Sequence, residues 1–442
     1  MPGLSAASRP MRGGGKDGGG KDGGGKDGIP APVCCAHAKA CRRPPSSAGV
    51  RLHHACRGSR LARVQVGRMR DLLSSLSGGL RALAPGRLPY RRFALALVLG
   101  GVGGWLFVQG RLPLPWMLGS MVFCTIAALL RVPVAAPPVI RPPMTMVIGV
   151  MLGAGFKPEV IGQIPNWLPT IAGLVLFMCA CGFACVGYFR KFAGFDPVTA
   201  FFAGMPGGLV EMVTVGEEKG GDARIIALIH SARILLVVMT LPFIVQWIGG
   251  VPLGGTRVAG PSFQQTPLFA EITLLACGLA GIVVGHWLRL PAKFLLGPML
   301  VSAAVHLAGL SNAVPPFEIV NAAQLVLGVT IGCRFVGTPP RIILRVLMLS
   351  VGSTVLLLAL TLSFAWLVAL VSVHGHVPLI LAYSPGGLAE MSLIALALHT
   401  EVAFVAAHHI IRVFLVMVCA GPLFGVIIGQ RKTADGRMAN GE

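Results

Sequence analysis

The chain has 442 residues, of which 54% are hydrophobic and 12% charged, and its mean hydropathy is +0.77. This composition indicates a polytopic membrane protein and excludes a string of ordinary soluble domains. The formal net charge is +21, but residues 1–88 hold 16 Lys and Arg against 4 Asp and Glu, and much of the other positive charge flanks apolar segments. Positive-inside topology accounts for this placement, so we expect no direct contact with nucleic acid.

Residues 1–88 form a basic tail for which we expect disorder. A Gly-Gly-Gly-Lys-Asp repeat within 12–28 is followed by a run rich in Pro, Arg and Ser, and neither part can bury an apolar core. The tail lacks the apolar stretch of a secretory signal. An organellar transit peptide also fits its Arg-rich composition. We favour a misassigned start, with Met69 as the natural alternative beginning.

Twelve apolar segments of roughly spanning length, ~20 residues each, follow the tail. Those of the first half are predicted at about 93–110, 114–130, 143–156, 167–189, 198–216 and 225–248. Those of the second half are predicted at about 269–288, 294–310, 319–335, 343–371, 378–398 and 403–428. The predicted organisation is a membrane repeat at 89–250, a linker rich in Gly and Pro at 251–267, a second repeat at 268–430 and a cytoplasmic tail at 431–442.

The two halves are copies of one unit. The run Met-Pro-Gly-Gly-Leu-Val-Glu-Met at 205–212 returns as Ser-Pro-Gly-Gly-Leu-Ala-Glu-Met at 384–391, 179 residues later. Other pairs keep an offset of 178 or 179: Gly119 and Gly297, Gly149 and Gly328, Gly153 and Gly332, Phe156 and Phe335, Asp222 and Glu401, His230 and His409, Arg233 and Arg412. A constant offset indicates a true repeat rather than shared hydrophobicity. We interpret the glycines four apart as faces for close helix packing.

Each copy contains a helix break of the sequence Pro-Gly-Gly. The residues of the two breaks are Pro206, Gly207, Gly208, Pro385, Gly386 and Gly387. Proline lacks the N–H group and clashes with the preceding turn, and paired glycines free the backbone. Unpaired backbone groups at membrane depth are tolerated only against protein or a wet cavity. About eight apolar residues precede each break and ten follow it, so we expect a short helix that enters the membrane and returns.

Loop charges predict that the two halves have opposite orientations. Positive residues follow the second and fourth segments of the first half, but the first and third segments of the second half. Under the positive-inside rule, this change of phase requires an odd number of crossings in each half. We therefore predict an all-α protein of two inverted repeats, each with about five crossings plus one Pro-Gly-Gly broken or re-entrant helix, and both termini cytoplasmic. A broken helix that crosses is the main alternative.

Two glutamates, Glu211 and Glu390, lie within one helical turn of the breaks. Each is at the start of a half-helix whose free N–H groups and positive dipole end suit an anionic oxygen. The carboxylates therefore either cap their own half-helices or couple to H⁺ or Na⁺ at the repeat interface, as in transporters with broken helices.

Arg233 and Arg412 lie inside apolar helices, and each follows a histidine, His230 or His409, by three positions. Residues three apart share a helix face. A buried guanidinium group calls for an acid, and we expect the two glutamates to supply it, with the acids at 222 and 401 as competitors. A purely structural ion pair is the alternative to a functional one.

Enzyme motifs do not accompany these residues. The sequence has no P-loop, no Gly-x-Ser-x-Gly elbow and no His, Cys or Asp cluster with metal-ligand spacing. Outside the tail, cysteines lie in apolar stretches, where they fit as small packing residues. We therefore expect neither an enzyme nor a bound cofactor.

The duplicated module resembles the AbrB membrane-protein family over residues 93–429. The resemblance rests on Pro-Trp-Met-Leu-Gly, Gly-x-x-x-Gly-x-x-Phe, Pro-Gly-Gly-Leu-x-Glu-Met and an acidic residue separated from an arginine by ten residues. It implies a multi-pass protein of the bacterial inner membrane, implicated in the control of gene expression, with a module similar to inverted-repeat cation/proton antiporters and bile-acid symporters. Such proteins are also labelled ammonia monooxygenases. The sequence departs from the family pattern at His230 and His409, where an amide is common, and in its tail.

Three functions remain open on the sequence. The first is a secondary-transporter-like protein that moves a small solute coupled to H⁺ or Na⁺ at the repeat interface. The second is a membrane regulator that senses a ligand in the same cavity. The third, a membrane monooxygenase, is disfavoured by the missing metal ligands. The expected partners are the lipid bilayer and an unidentified solute or ion, and a homo-oligomer is left open.

Overall fold

Fourteen α-helices and no strand occur in the part of the chain that the computed structural model describes, residues 89–250 and 260–439. The helices of the first half are α1 Tyr90–Gln109, α2 Pro115–Leu129, α3 Arg141–Gly153, α4 Leu168–Tyr188, α5 Pro197–Gly204, α6 Leu209–Glu218 and α7 Ala223–Gly249. Those of the second half are α8 Leu268–Trp287, α9 Lys293–Leu307, α10 Phe317–Gly332, α11 Pro340–Ala369, α12 His376–Tyr383, α13 Leu388–Ala397 and α14 Val402–Ala439. The predicted tail at 1–88 and residues 251–259 of the predicted linker lie outside the described residues.

The backbone repeats with the same offset as the sequence. Residues with positive φ recur in equivalent pairs: Arg111 and Arg289, Leu114 and Ala292, Arg131 and Gly309, Gly220 and His399. A non-glycine residue with positive φ is uncommon, so its recurrence at the same position of both halves is independent support for the duplication. The last helix, α14, continues to Ala439, beyond residue 430.

Seven of the described helices are long and apolar enough to cross a membrane: α1, α4, α7, α8, α10, α11 and α14. The prediction of an all-α polytopic membrane protein is confirmed. The helices α2, α3 and α9 are apolar but shorter, with 15, 13 and 15 residues. The ten crossings predicted from the loop charges would consist of these three helices and the seven long ones.

The direction of neighbouring helices supports the prediction that the repeats are inverted. A Cβ atom placed on Gly149 or Gly153 of α3 would lie 2.5 Å from the carbonyl oxygen of Leu295 or Met299 of α9, respectively. Both residue numbers rise together, so α3 and α9 run parallel. In the topology predicted from the loop charges, α2 and α3 are consecutive crossings, which would run in opposite directions. Since α9 is the counterpart of α2, the parallel course of α3 and α9 agrees with the predicted opposite orientation of the two halves.

The two halves also pack against each other through equivalent pairs of helices. The third helix of each half packs on the second helix of the other half, α3 on α9 and α10 on α2. On α10, a Cβ atom at Gly328 would collide with Ser120, and one at Gly332 would lie 2.7 Å from the Cβ atom of Cys124. The interpretation of the paired glycines as close-packing faces is therefore confirmed.

Each Pro-Gly-Gly segment forms a re-entrant hairpin. In the first, α5 has 8 residues and α6 has 10. A Cβ atom at Gly216 of α6 would lie 3.2 Å from the Cβ atom of Phe202 of α5, and Asp222 N donates to Thr199 Oγ1 over 2.9 Å. The second half-helix therefore returns beside the first. We call α5–α6 hairpin 1 and α12–α13 hairpin 2.

The second hairpin also starts and ends at one level. Nδ1 of His374, two residues before α12, lies 2.7 Å from Oε2 of Glu401, one residue before α14. The alternative of a broken helix that crosses the membrane is excluded for both segments by these contacts. With five crossings per half and a cytoplasmic N-terminus, as the loop charges predict, the base of hairpin 1 would be cytoplasmic and the base of hairpin 2 would lie on the opposite face.

Cysteine labelling of intact cells tests this topology. In a protein whose native cysteines are replaced, a cysteine at Gly220 should react only from the cytoplasm, and one at His399 only from outside. These residues are equivalent by sequence, so they are a matched pair. Cysteines at Arg141 and Arg341 should both report the cytoplasm, because positive loops stay inside. Labelling of Gly220 and His399 from the same side, or of the two arginine loops from different sides, would contradict the inverted arrangement.

Candidate functional site

Both helix breaks lie inside the protein. Met205, Pro206, Ser384 and Pro385 are buried. The tip of hairpin 1 reaches into the other half, since a Cβ atom at Gly207 would lie 2.7 Å from Cγ1 of Val416 on α14. The interrupted backbone therefore faces protein, as the cost of unpaired polar groups at membrane depth requires.

In the second half, a histidine and an arginine on α14 hold the break in place. His409 Nε2 donates to the carbonyl oxygen of Leu381 over 3.0 Å. Arg412 Nη1 donates to Ser384 O over 2.5 Å, and Nη2 donates to Gly386 O over 2.6 Å. These carbonyl groups are among those that the end of α12 and the break leave without helical partners.

The first half repeats this arrangement with weaker contacts. On α7, His230 Nε2 donates to Phe202 O over 2.9 Å, and Arg233 Nη1 donates to Met205 O over 3.3 Å. Phe202 and Met205 are equivalent to Leu381 and Ser384. In addition, Arg233 Nη2 donates to His230 Nδ1 over 2.6 Å, which fixes a neutral imidazole with its proton on Nε2. The spacing of His and Arg therefore has one structural purpose in both halves.

The expected pairing of these arginines with glutamates is wrong. Among the described residues, no ion pair joins Arg233 or Arg412 to a carboxylate. The guanidinium groups instead meet backbone carbonyl oxygens at the end of a helix, where the dipole is negative. The two guanidinium groups also lie within electrostatic range of each other and of Cys181 on α4. The centre of the protein is therefore rich in positive charge.

The two glutamates lie over the starts of their own half-helices. A Cβ atom at Gly208 would collide with Oε2 of Glu211, and one at Gly387 would collide with Oε2 of Glu390. Neither carboxylate has a hydrogen bond within the described part of the chain, and neither half-helix has a side-chain cap. Arg334, after α10, is within electrostatic range of Glu390. Both acids are thus placed next to free N–H groups without being bonded to them.

The two hairpins differ in their surroundings. Glu390 is 7% exposed, whereas Glu211 is only half-buried. Beside them, Ala389 is 9% exposed and its counterpart Val210 is 62% exposed. The second half-helix of hairpin 2 is therefore enclosed, and that of hairpin 1 is open along one face.

The competing acids hold the bases of the hairpins. Asp222 Oδ1 accepts from Ile225 N over 2.9 Å at the start of α7, and Glu401 contacts His374 as described above. Asp196 caps α5 by accepting from Val198 N and Thr199 N over 3.0 and 2.9 Å. Partial burial raises the pKa of Asp196, but the hydrogen bonds from Thr199 and Val198 outweigh it, so the pKa lies below its ordinary value.

Sequence reasoning missed a second group of side chains next to hairpin 2. His408, which directly precedes His409 on α14, contacts Thr170 and lies close to His374 and Tyr383. The only sequence signal was the density of histidine at 374–376 and 408–409 in otherwise apolar segments.

These features define an all-α membrane protein of two inverted repeats, each with a re-entrant Pro-Gly-Gly hairpin whose break is held by a His and an Arg. The sequence matches the family described as "Transition state regulatory protein AbrB" over residues 116–427, and the chain belongs to that family.

Two relatives align with this chain over nearly their whole length. "Uncharacterized protein YhjN" of Bacillus subtilis (strain 168) is 26% identical over 359 residues, which cover 75% of this chain and 92% of YhjN. "Putative regulator AbrB" of Escherichia coli (strain K12) is 24% identical over 343 residues, which cover 76% of this chain and 96% of that protein.

Proposed function

We propose that this AbrB-family protein binds a small solute between its two hairpins and couples the movement or sensing of that solute to H⁺ or Na⁺ through Glu211 and Glu390. The observation that carries the proposal is the placement of both carboxylates at half-helix starts without a hydrogen-bonding partner in the described residues. An ionisable group at membrane depth is costly and is usually retained for function. The proposal assigns no catalytic chemistry to the chain.

The surrounding charges support a site at which the glutamates can bind and release a cation. Arg233 and Arg412 are committed to carbonyl oxygens, so they do not pair with the glutamates. Arg334, which is near Glu390, donates to Ser231 Oγ over 3.2 Å, so both carboxylates are left to gain or lose a cation. Two half-helix starts that point inward from opposite faces are the arrangement that broken-helix transporters use for ions and substrates. The inverted orientation of the halves supports alternating access around one fixed site.

A regulatory role is the second candidate, favoured by the name of the Escherichia coli relative and by the description of the family. In this version the protein senses the solute at the same site and passes its state to another protein. The proposed location in both versions is the inner membrane of a bacterium, which follows from the family resemblance.

Replacement of each glutamate by glutamine tests the proposal. Glu211→Gln and Glu390→Gln should yield folded, extractable protein, because the amide keeps the shape of the side chain but cannot change charge. At least one of them should abolish H⁺ or Na⁺ movement in proteoliposomes that contain a pH-sensitive dye and receive organic acids, amino acids or amines. We expect the larger loss at the enclosed Glu390.

Glu217→Gln is the matched control, since Glu217 is an exposed acid on α6. It should leave ion movement and its pH profile unchanged. Full activity of both single variants and of the double variant, with an unmoved pH profile, would end the coupling proposal. Loss of folded protein in both single variants would instead support a structural role for the carboxylates.

A further inference from the structure

A buried group of ring and hydroxyl side chains lies between α4, the segment before α12, and α14. We call it the His408 cluster, and its members are Trp167, Thr170, His374, Tyr383, Phe404 and His408. The first half has no equivalent, because the residues 179 positions before His374, Tyr383 and His408 are Phe195, Gly204 and Ile229. The cluster therefore belongs to hairpin 2 alone and is separate from the Glu and Arg residues of the proposed site.

Three short polar contacts form a chain through His408. Its Nδ1 atom lies 2.9 Å from Phe404 O, and its Nε2 atom lies 2.8 Å from Thr170 Oγ1. Thr170 Oγ1 in turn lies 2.7 Å from Trp167 O. His408 is fully buried, so no contact can be exchanged for one with bulk water.

These three contacts can accommodate one more proton than a neutral imidazole and the threonine hydroxyl supply. Each of the three contacts needs one hydrogen between its two atoms. A neutral imidazole has one N–H group and the threonine one O–H group, so one contact is left without a hydrogen whichever tautomer is chosen. An imidazolium has two N–H groups: Nδ1 donates to Phe404 O, Nε2 donates to Thr170 Oγ1, and the hydroxyl donates to Trp167 O. All three contacts are then satisfied.

The aromatic neighbours also favour a positive charge. The ring of Phe404 lies 4.1 Å from the ring of His408 and 4.2 Å from the ring of His374. A cation over an aromatic face is stabilised by the ring quadrupole. The ring of Tyr383 is 6.4 Å away, and its hydroxyl group donates to Thr170 O over 2.5 Å.

The titratable and charged groups around His408 act in opposite senses. His374 and His409 lie within electrostatic range, and Arg412 is one helical turn further along the same face of α14. Burial of the ring opposes a proton on His408, and so does a charge on any of these groups. The carboxylate of Glu401, 2.7 Å from His374, favours it. Because the Glu401 side chain is 37% exposed, this pair connects the cluster to the surface at the base of hairpin 2.

We propose that His408 is a proton-binding site of hairpin 2, reached from the Glu401–His374 pair, and that the ion to which this hairpin responds is H⁺ rather than Na⁺. Hard cations select oxygen ligands, whereas the group at the centre of this site is an imidazole nitrogen. A proton on His408 repels Arg412, which holds Ser384 and Gly386 at the break. The coupling role rests on the proposed function, but the binding of the proton does not.

Fluorescence of Trp167 tests the site directly. The Trp167 ring lies 6.4 Å from the ring of His408. In full-length protein in nanodiscs, with every other tryptophan replaced by phenylalanine, acidification from about pH 8 to about pH 3 should quench the emission. This range extends below the one in which a solvated histidine titrates, because burial disfavours the charged ring. His408→Gln should abolish the quench. His376→Gln is the control that should keep it, because the His376 ring packs against the side chain at position 366, where the ring centroids are 4.1 Å apart in the parent protein, and not against Trp167.

A second variant guards against misfolding of the first. Thr170→Val removes the acceptor for the Nε2 donor, so the midpoint of the quench should move to lower pH by about one unit. Replacing Na⁺ by K⁺ should leave the midpoint in place. A missing quench in the parent protein, a quench that survives His408→Gln, an unmoved midpoint in Thr170→Val or a shift with Na⁺ would each overturn the inference.

The same protein separates this inference from the proposed function. A normal quench together with full activity of Glu211→Gln and Glu390→Gln would refute the proposed function and keep the proton site. Glutamate variants that lose ion movement, in a protein without the quench, would do the reverse.

Discussion

Replacement of Arg412 by alanine is expected to destabilise the folded protein by roughly 3 kcal/mol. The loss of two hydrogen bonds from a charged donor costs more than this, but the variant no longer has to bury the charge of the guanidinium group. Ser384 O and Gly386 O would lose donors at 2.5 and 2.6 Å in a region closed to water. The break of hairpin 2 would then keep buried carbonyl groups without partners. Thermal unfolding of the purified protein in detergent, followed by size-exclusion fluorescence, measures the loss.

The equivalent change in the first half is the control. Arg233→Ala removes one bond to a carbonyl group, of 3.3 Å, and one to a neighbouring histidine, so its effect should be smaller, about 1 kcal/mol. Arg412→Lys should be intermediate, since lysine keeps the charge but not the planar fork of donors. Equal losses in Arg412→Ala and Arg233→Ala, or none in the former, would mean that the arginines do not hold the breaks.

Alanine at Gly149 or Gly328 is expected to destabilise the protein by about 2 kcal/mol through overpacking. At Gly149 the new methyl group would lie 2.5 Å from Leu295 O, and at Gly328 it would collide with Ser120 and approach Met117 O. Backbone atoms cannot move aside as a flexible side chain can, so the helices of the two halves must separate. The unfolding temperature of the purified variants is the measurement.

Gly101→Ala on α1 is the matched control, because a Cβ atom there meets no atom within 4 Å. Alanine favours a helix over glycine by up to about 1 kcal/mol, so this variant should be as stable as the parent protein or more stable. If Gly328→Ala unfolded at the same temperature as Gly101→Ala, the close contact between α10 and α2 would not contribute to stability.

The sequence by itself determined the architecture. Apolar runs of roughly spanning length predict the helices. The Pro-Gly-Gly motifs, flanked by about eight and ten apolar residues, predict the hairpins, and α5 and α6 have these lengths, 8 and 10 residues. The opposite orientation of the halves is predicted from the placement of Lys and Arg in loops. All these signals are local, because a helix of spanning length, a helix break and a charged loop are each set by a few neighbouring residues.

Only the tertiary structure decided what the buried polar groups contact. The sequence pointed to acids as partners of Arg233 and Arg412. Every residue has a backbone carbonyl oxygen that could accept a hydrogen bond, so the sequence cannot indicate which carbonyl groups an arginine will contact. The His408 cluster joins Thr170 to a residue 238 positions away, which depends on the packing of α4 near α14. The enclosure of Glu390 and the openness around Glu211 likewise arise from how nearly identical motifs pack against different neighbours, and no periodicity within either motif encodes that difference.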